Sequence, residues 1–172
     1  MSTSKRRSTL RRAEIEPLDA RAARVAALDA LGRRDYTAEE LRRKLLDKGY
    51  DSIVVGPVLD ALCTEKLLDD RRYAENFVAY HAARGQGPVR VRADLRKSGL
   101  SEPLIGECLD AYPDWLAQLR KARQKKFGAA LPDDYADKQR QRRFLAYRGF
   151  TNAQIRTALG FDIAIDSDAE GI

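Results

Sequence analysis

The chain has little of what most enzymes use. Among its 172 residues there is one histidine, His81, and there are two cysteines, Cys63 and Cys108. Cys and His clusters with metal-ligand spacing are missing, so no metal centre is expected. Serine and cysteine have no base placed beside them to activate a nucleophile. There is no GxxxxGK[ST] phosphate loop and no GxGxxG fingerprint, and thus no cofactor is expected. Gly85-Gln86-Gly87 reads as a turn, because nothing strand-like precedes it. No apolar run approaches the ~20 residues that a membrane span requires. The N-terminus also lacks the apolar core of a secretory signal. With so few cysteines and no CxxC, a reducing cytoplasm is expected. Cys108 reads as a small buried hydrophobe.

What is present is repetition. Leu45-Leu46-Asp47-Lys48-Gly49-Tyr50 returns as Leu95-Arg96-Lys97-Ser98-Gly99-Leu100 and as Leu145-Ala146-Tyr147-Arg148-Gly149-Phe150. The glycines are 50 residues apart both times. Downstream, Val55, Ile105 and Ile155 correspond, as do Leu59, Leu109 and Leu159, with Val58, Cys108 and Ala158 between them. Upstream, Arg42, Arg92 and Arg142 correspond, and so do Ala27, Phe77 and Phe127. A fixed period of this length signals a repeat architecture.

Each copy reads as the end of one helix and the start of another. Glycine takes the left-handed conformation that often follows a helix. The next apolar residue can pack back on the helix it leaves. Thr37 with Glu40 and Thr151 with Gln154 have capping-box spacing, and Ser52 and Ser101 are candidate N-caps. Pro88 and Pro103 suit first turns, where no amide bond is lost. Val55, Val58, Leu59 and Leu62 then run i, i+3, i+4, i+7, one buried helical stripe.

The pattern predicts nine helices, near 18–33, 37–48, 52–63, 70–84, 88–98, 101–111, 113–127, 134–148 and 151–159. The first is expected to bury Ala22, Val25, Leu28 and Leu31. Leu67 and Leu68 are expected to be buried between two repeats. Trp115, Leu119 and Ala122 should line the seventh helix. No stretch alternates as a strand would. The expected fold is all-α: three tandem three-helix repeats over 18–69, 70–112 and 113–159. A basic disordered tail (1–17) precedes them, and an acidic one (160–172) follows. A triplet of this size has a thin core, so neighbours should support one another in an elongated, curved array.

Charge separates the repeats. Of the net +6, residues 1–17 carry +3, 18–69 carry −1, 70–112 carry +1, 113–159 carry +7 and 160–172 carry −4. The third repeat is the basic one, and an acidic partner is expected. Its candidates for DNA or filament binding are Arg120, Lys121, Arg123, Lys125, Lys126, Lys138, Arg140, Arg142, Arg143 and Arg148. Arg140, Arg143 and Tyr147 fall at i, i+3, i+7, where an exposed tyrosine adds a stacking surface to phosphate-neutralising cations. No base-reading motif is evident, so DNA binding should be sequence-tolerant. In the second repeat, Tyr73, Phe77 and Tyr80 form an aromatic row. Tyr73, Arg90, Arg92 and Arg96 are candidates for protein contact. The acidic pairs Asp69-Asp70 and Asp133-Asp134 each precede a predicted helix, where they act as caps rather than metal ligands.

The chain resembles the RecX family of recombination regulators. The resemblance rests on Tyr36-Thr37-Ala38-Glu39-Glu40-Leu41-Arg42-Arg43-Lys44-Leu45 with Lys48-Gly49, and on Leu67-Leu68-Asp69-Asp70-Arg71-Arg72-Tyr73-Ala74-Glu75-Asn76-Phe77-Val78. Gly85-Gln86-Gly87-Pro88 with Val91, Leu95 and Gly99 also fits, as does Lys138-Gln139-Arg140 leading to Arg143-Phe144-Leu145 and Arg148-Gly149-Phe150. It covers about 20–160. Cys63-Thr64-Glu65-Lys66 departs from it, standing where the family often has a glycine. The resemblance implies a cytoplasmic, non-enzymatic modulator of the RecA recombinase. Such a protein binds the RecA–DNA filament and restrains ATP hydrolysis, strand exchange and co-protease activity in recombination, repair and the SOS response. The family has no catalytic residues to transfer. A monomer is the default. Two competing readings remain: a stand-alone DNA-binding protein of helix-turn-helix-like modules, and a magnesium-dependent nuclease using the aspartate pairs.

Overall fold

A computed structural model describes residues 16–160. Both tails, apart from residues 16, 17 and 160, lie outside the described residues. Pro17 is already part of the structure, since its carbonyl accepts from the Asp51 amide at 2.8 Å. Among the described residues the secondary structure is helical: α1 (Ala20–Leu31), α2 (Ala38–Lys48), α3 (Ser52–Thr64), α4 (Asp70–Ala83), α5 (Pro88–Lys97), α6 (Glu102–Ala111), α7 (Trp115–Phe127), α8 (Tyr135–Tyr147) and α9 (Asn152–Leu159). No described residue is in a strand.

The thrice-repeated motif closes a helix in the same way each time. Gly49, Gly99 and Gly149 have φ of 105°, 87° and 90°. In each copy the residue after the glycine donates to the leucine carbonyl five residues back, as in Tyr50 to Leu45, Leu100 to Leu95 and Phe150 to Leu145. The glycine amide itself donates three residues back. This is the Schellman closure, which satisfies carbonyls the helix leaves open. It turns Tyr50, Leu100 and Phe150 inward, and all three are buried.

N-terminal caps fix the other ends. Asp69 accepts from the Arg72 amide and Asp134 from the Asp137 amide, so each acidic pair supplies one cap. The cap of α3 is Asp51 rather than Ser52. Thr151 and Gln154 form the complete reciprocal box. Thr37 accepts from the Glu40 amide, while the Glu40 carboxylate holds Arg34 at 2.9 Å.

The described residues fall into two compact units divided between Leu68 and Asp69. The first holds α1–α3 around Ala23, Ala27, Leu41, Leu45, Val55, Leu59, Leu62 and Leu68. Here two expectations fail. The first helix buries Ala23, Ala26, Ala27 and Ala30, and it leaves Val25 and Leu28 exposed. The alanines form their own i, i+3, i+4, i+7 stripe, and small side chains let α1 lie close against α3 and α2. Leu68 is buried, but Leu67 is 44% exposed.

The second unit holds α4–α9 with two cores. One is built on Val78, Val91, Leu95, Ile105 and Leu109, the other on Leu119, Leu145, Phe150, Ile155 and Leu159. Trp115 departs from expectation. It packs on the α4–α6 core, 4.7 Å from Tyr112, and its indole donates to the Leu109 carbonyl at 3.0 Å. The first residue of α7 thereby fastens the third helical triplet to the second. The join is reinforced where α8 ends against the start of α5. The Gly87 amide donates to the Arg148 carbonyl at 2.8 Å, and the Val89 amide to the Gly149 carbonyl at 3.0 Å. Orphan donors of one helix meet orphan acceptors of another, and the two helix dipoles meet with opposite partial charges.

Candidate nucleic-acid interface

The arginines of the first unit are largely matched with acids. Arg24 pairs with Glu65, Arg34 with Glu40, and Arg42 and Arg43 with Glu39. The second triplet is similar. Arg71 meets Glu107, and Arg92 and Arg96 clasp Glu102 at 3.0 and 2.5 Å. The hydrogen bond from Arg96, with help from Arg92, holds the Glu102 carboxyl below the usual carboxylate range.

The third triplet is different. Arg120, Lys121, Lys125, Lys126, Arg140, Arg142 and Arg143 are exposed on α7 and α8, and Arg148 is half-buried at the end of α8. Of these eight, only Arg140 has an ion pair among the described residues. It lies 2.5 Å from Asp137 Oδ1, a charge contact rather than an aligned hydrogen bond, and 5.4 Å from the Phe127 ring. Lys138 is half-buried on the inner side of α8. Tyr147 is 78% exposed in the last turn, with the Arg90 guanidinium 5.9 Å from its ring centre.

Arg123 must be withdrawn from the candidate surface. It is buried, and its guanidinium donates to the carbonyls of Gly128, Ala129 and Ala130 and to Gln141 Oε1, at 2.8–3.2 Å. Gln141, also buried, passes the chain of bonds on to Asp137 at 2.9 Å. A planar fork of donors suits this cluster of carbonyls. The network closes the loop after α7 and supplements the small apolar core of this triplet.

The protein-contact candidates also change. Tyr73 is half-buried, packs on the α4–α6 core and stacks with Phe77, so the aromatic row is mostly structural. Only Tyr80 keeps a large exposed face. His81 stacks on Phe77 at 4.0 Å and contacts Gln86 through Nδ1 at 2.7 Å. Of Arg90, Arg92 and Arg96, Arg90 is the one without an acidic partner among the described residues.

The structure also brings in a residue that counting charge by repeats assigned elsewhere. Arg84, just past α4, joins Lys121, Lys125, Lys126 and Arg148 around a cleft of about 290 Å³ with Phe144 in its wall. Arg84 Nη1 donates to the Tyr80 hydroxyl, and Arg148 Nη1 donates to the Arg84 carbonyl at 3.3 Å. Gly85 sits beside Ala122 of α7, where a Cβ would come within 3.0 Å of the Ala122 Cβ. The tight turn at Gly85 is therefore what lets α4's end and α7 share one cleft. No group of three or more His, Cys, Asp or Glu able to hold a metal ion occurs among the described residues.

An all-helical protein of three consecutive three-helix domains, basic in the last, is the class defined by this fold and surface. The family models agree with it domain by domain. The RecX first three-helix domain matches residues 23–62, the second 69–109 and the third 113–159. The regulatory protein RecX of Halorhodospira halophila is 48% identical over 150 residues, 87% of this chain and 91% of its own. That of Ectopseudomonas mendocina is 44% identical over 131 residues, 76% of this chain and 87% of its own. The crystal structure of RecX from Lactobacillus salivarius shares the fold, with a TM-score of 0.72 at 21% identity, over 83% of this chain and 95% of that one. The chain belongs to the RecX family, whose members named here are regulatory proteins. Among the described residues no helix is long and apolar enough to cross a membrane.

Proposed function

We propose that this chain is a cytoplasmic, non-enzymatic regulator that binds the RecA–DNA filament and lowers the recombinase's ATPase, strand-exchange and co-protease activities. Membership of the RecX family supports the regulatory part. The observation that carries the filament part is the unbalanced third triplet. Seven cations lie exposed on α7 and α8 with a single ion pair among them, whereas most of the described arginines of the first two triplets meet acids. A solvated helical face does not require that contrast. A surface made for phosphates does.

A regulator of this kind needs no chemistry. It acts by occupying neighbouring protomers and the strand they hold at once, so weak contacts add through high effective concentration. The third triplet meets DNA or an acidic filament surface, and Arg90 with the exposed Tyr80 adds contact from the second. The charged variant to test is Arg143→Glu, alone and combined with Arg140→Gln. Filament binding and inhibition of RecA ATPase should weaken together. Full inhibition by the double variant would remove the third triplet from the mechanism. Sequence-preferring binding to duplex DNA, without any effect on RecA, would favour the stand-alone DNA-binding reading instead.

A further inference from the structure

We infer that the cleft between the end of α4 and the α7–α8 pair is a seat for consecutive phosphates of a nucleic-acid strand. The inference rests on the reading above that the third triplet meets nucleic acid. It narrows the contact to Arg84, Lys121, Lys125, Lys126 and Arg148, with Phe144 in the wall.

The first argument is charge balance. Five cations line one cleft, and none is ion-paired among the described residues. Cations at the ends of helices have an ordinary explanation, because a helix C-terminus carries roughly half a negative charge. Arg84 follows α4, Lys125 and Lys126 lie in the last turn of α7, and Arg148 follows α8. Three helix ends supply about −1.5 in all, against +5. More than half of the positive charge is left uncompensated.

The second argument is construction. The cleft is not a chance meeting of mobile side chains over a flat face. Gly85 has φ of 77° and sits against Ala122, which brings Arg84 beside α7. Arg148 is held by its bond to the Arg84 carbonyl and lies 5.2 Å from the Phe144 ring. Two of the five cations are therefore positioned before any ligand arrives, which lowers the ordering cost of binding. A 290 Å³ cleft edged by long lysines, with Gln118 as its one side-chain amide, admits the phosphodiester groups of a strand. With five cations to one amide, recognition is mainly of the backbone rather than of sequence.

The test is equilibrium binding of the full chain to a labelled single-stranded oligonucleotide, read by fluorescence anisotropy over a range of salt. Each lost phosphate contact flattens the log–log salt slope by about 0.7 on single strands. Arg84→Gln/Lys121→Gln should therefore flatten it by about 1.4, which is roughly a 25-fold loss at 0.1 M salt. Arg84→Lys/Lys121→Arg, which retains both charges, should keep the wild-type slope. Arg21→Gln/Arg33→Gln, two exposed cations of the first unit with the same change in net charge, should bind like wild type. An unchanged slope for the first variant overturns the inference, as does an absence of wild-type binding to the bare strand. Cleft-dependent binding of inorganic triphosphate without oligonucleotide binding overturns the assignment to nucleic acid. RecA ATPase is measured on the same variants. Wild-type protein that binds the strand through these cations but leaves RecA unaffected would sink the filament reading and spare the cleft.

Discussion

Gly87 and Gly149 touch backbone to backbone: a Cβ on Gly87 would fall inside the van der Waals radii of the Gly149 carbonyl and the Phe150 nitrogen. Gly149 faces a second restriction, because its own Cβ would come within 2.5 Å of the Arg90 Cβ. The two glycines let the end of α8 reach the start of α5 and accept two hydrogen bonds from its amides. Gly49 has the same left-handed backbone but open space around it. Alanine at the two positions should therefore cost different amounts. Gly49→Ala should cost about 1–2 kcal/mol from backbone strain alone. Gly149→Ala adds overpacking of about 1–3 kcal/mol. Denaturant unfolding of each variant checks the order, and equal losses would contradict the geometry.

Arg123 should behave as a structural residue. Arg123→Ala removes the donor from three loop carbonyls and Gln141, with an expected loss of about 2–4 kcal/mol. Arg123→Lys should recover little of it, because an ammonium cannot reproduce the fork. Under conditions where both variants stay folded, the salt slope of DNA binding should match wild type. A flattened slope would return Arg123 to the binding surface.

The cysteines report on burial. Cys63 is exposed, while burial pushes the Cys108 thiol upward from its ordinary range. A maleimide or iodoacetamide time course with peptide mass spectrometry should modify Cys63 quickly. Cys108 should react only as the α4–α6 core opens. Comparable rates in native protein would contradict the packing of α6.

The Glu102 clasp gives a pH dependence with a defined sign. Its folded carboxyl lies below the unfolded range, held by Arg96 and Arg92. The stabilisation it contributes is present above the unfolded carboxylate range and is lost as pH falls through the folded value. Because the group is exposed, the effect should be small. Glu102→Gln should lower stability slightly at neutral pH and converge on wild type in acid, which flattens part of the acid limb of the stability curve. A loss that appears only in acid, with none at neutral pH, would reverse the assignment.

Much of the fold could be read from sequence because its signals are local. Each Gly-apolar closure, each aspartate cap and each i, i+3, i+4, i+7 stripe acts within one turn or two. Helix ends fell within two residues of expectation throughout. The failures were of partnership. Val25 and Leu28 look like a buried face until the alanine stripe is seen to permit a closer approach. Trp115 begins α7 yet packs on the preceding core. Arg123 belongs to a run of cations, and only the return of the chain at 128–130 places carbonyls around it. Arg84 joins the basic cleft from another triplet, across an approach that depends on Gly85.

The filament account is tested most directly by RecA ATPase on single-stranded DNA with this protein titrated in. It predicts inhibition that begins well below one molecule per RecA protomer and weakens with Arg143→Glu. Unchanged hydrolysis at and above one molecule per protomer, with tight binding to the bare strand, would contradict it.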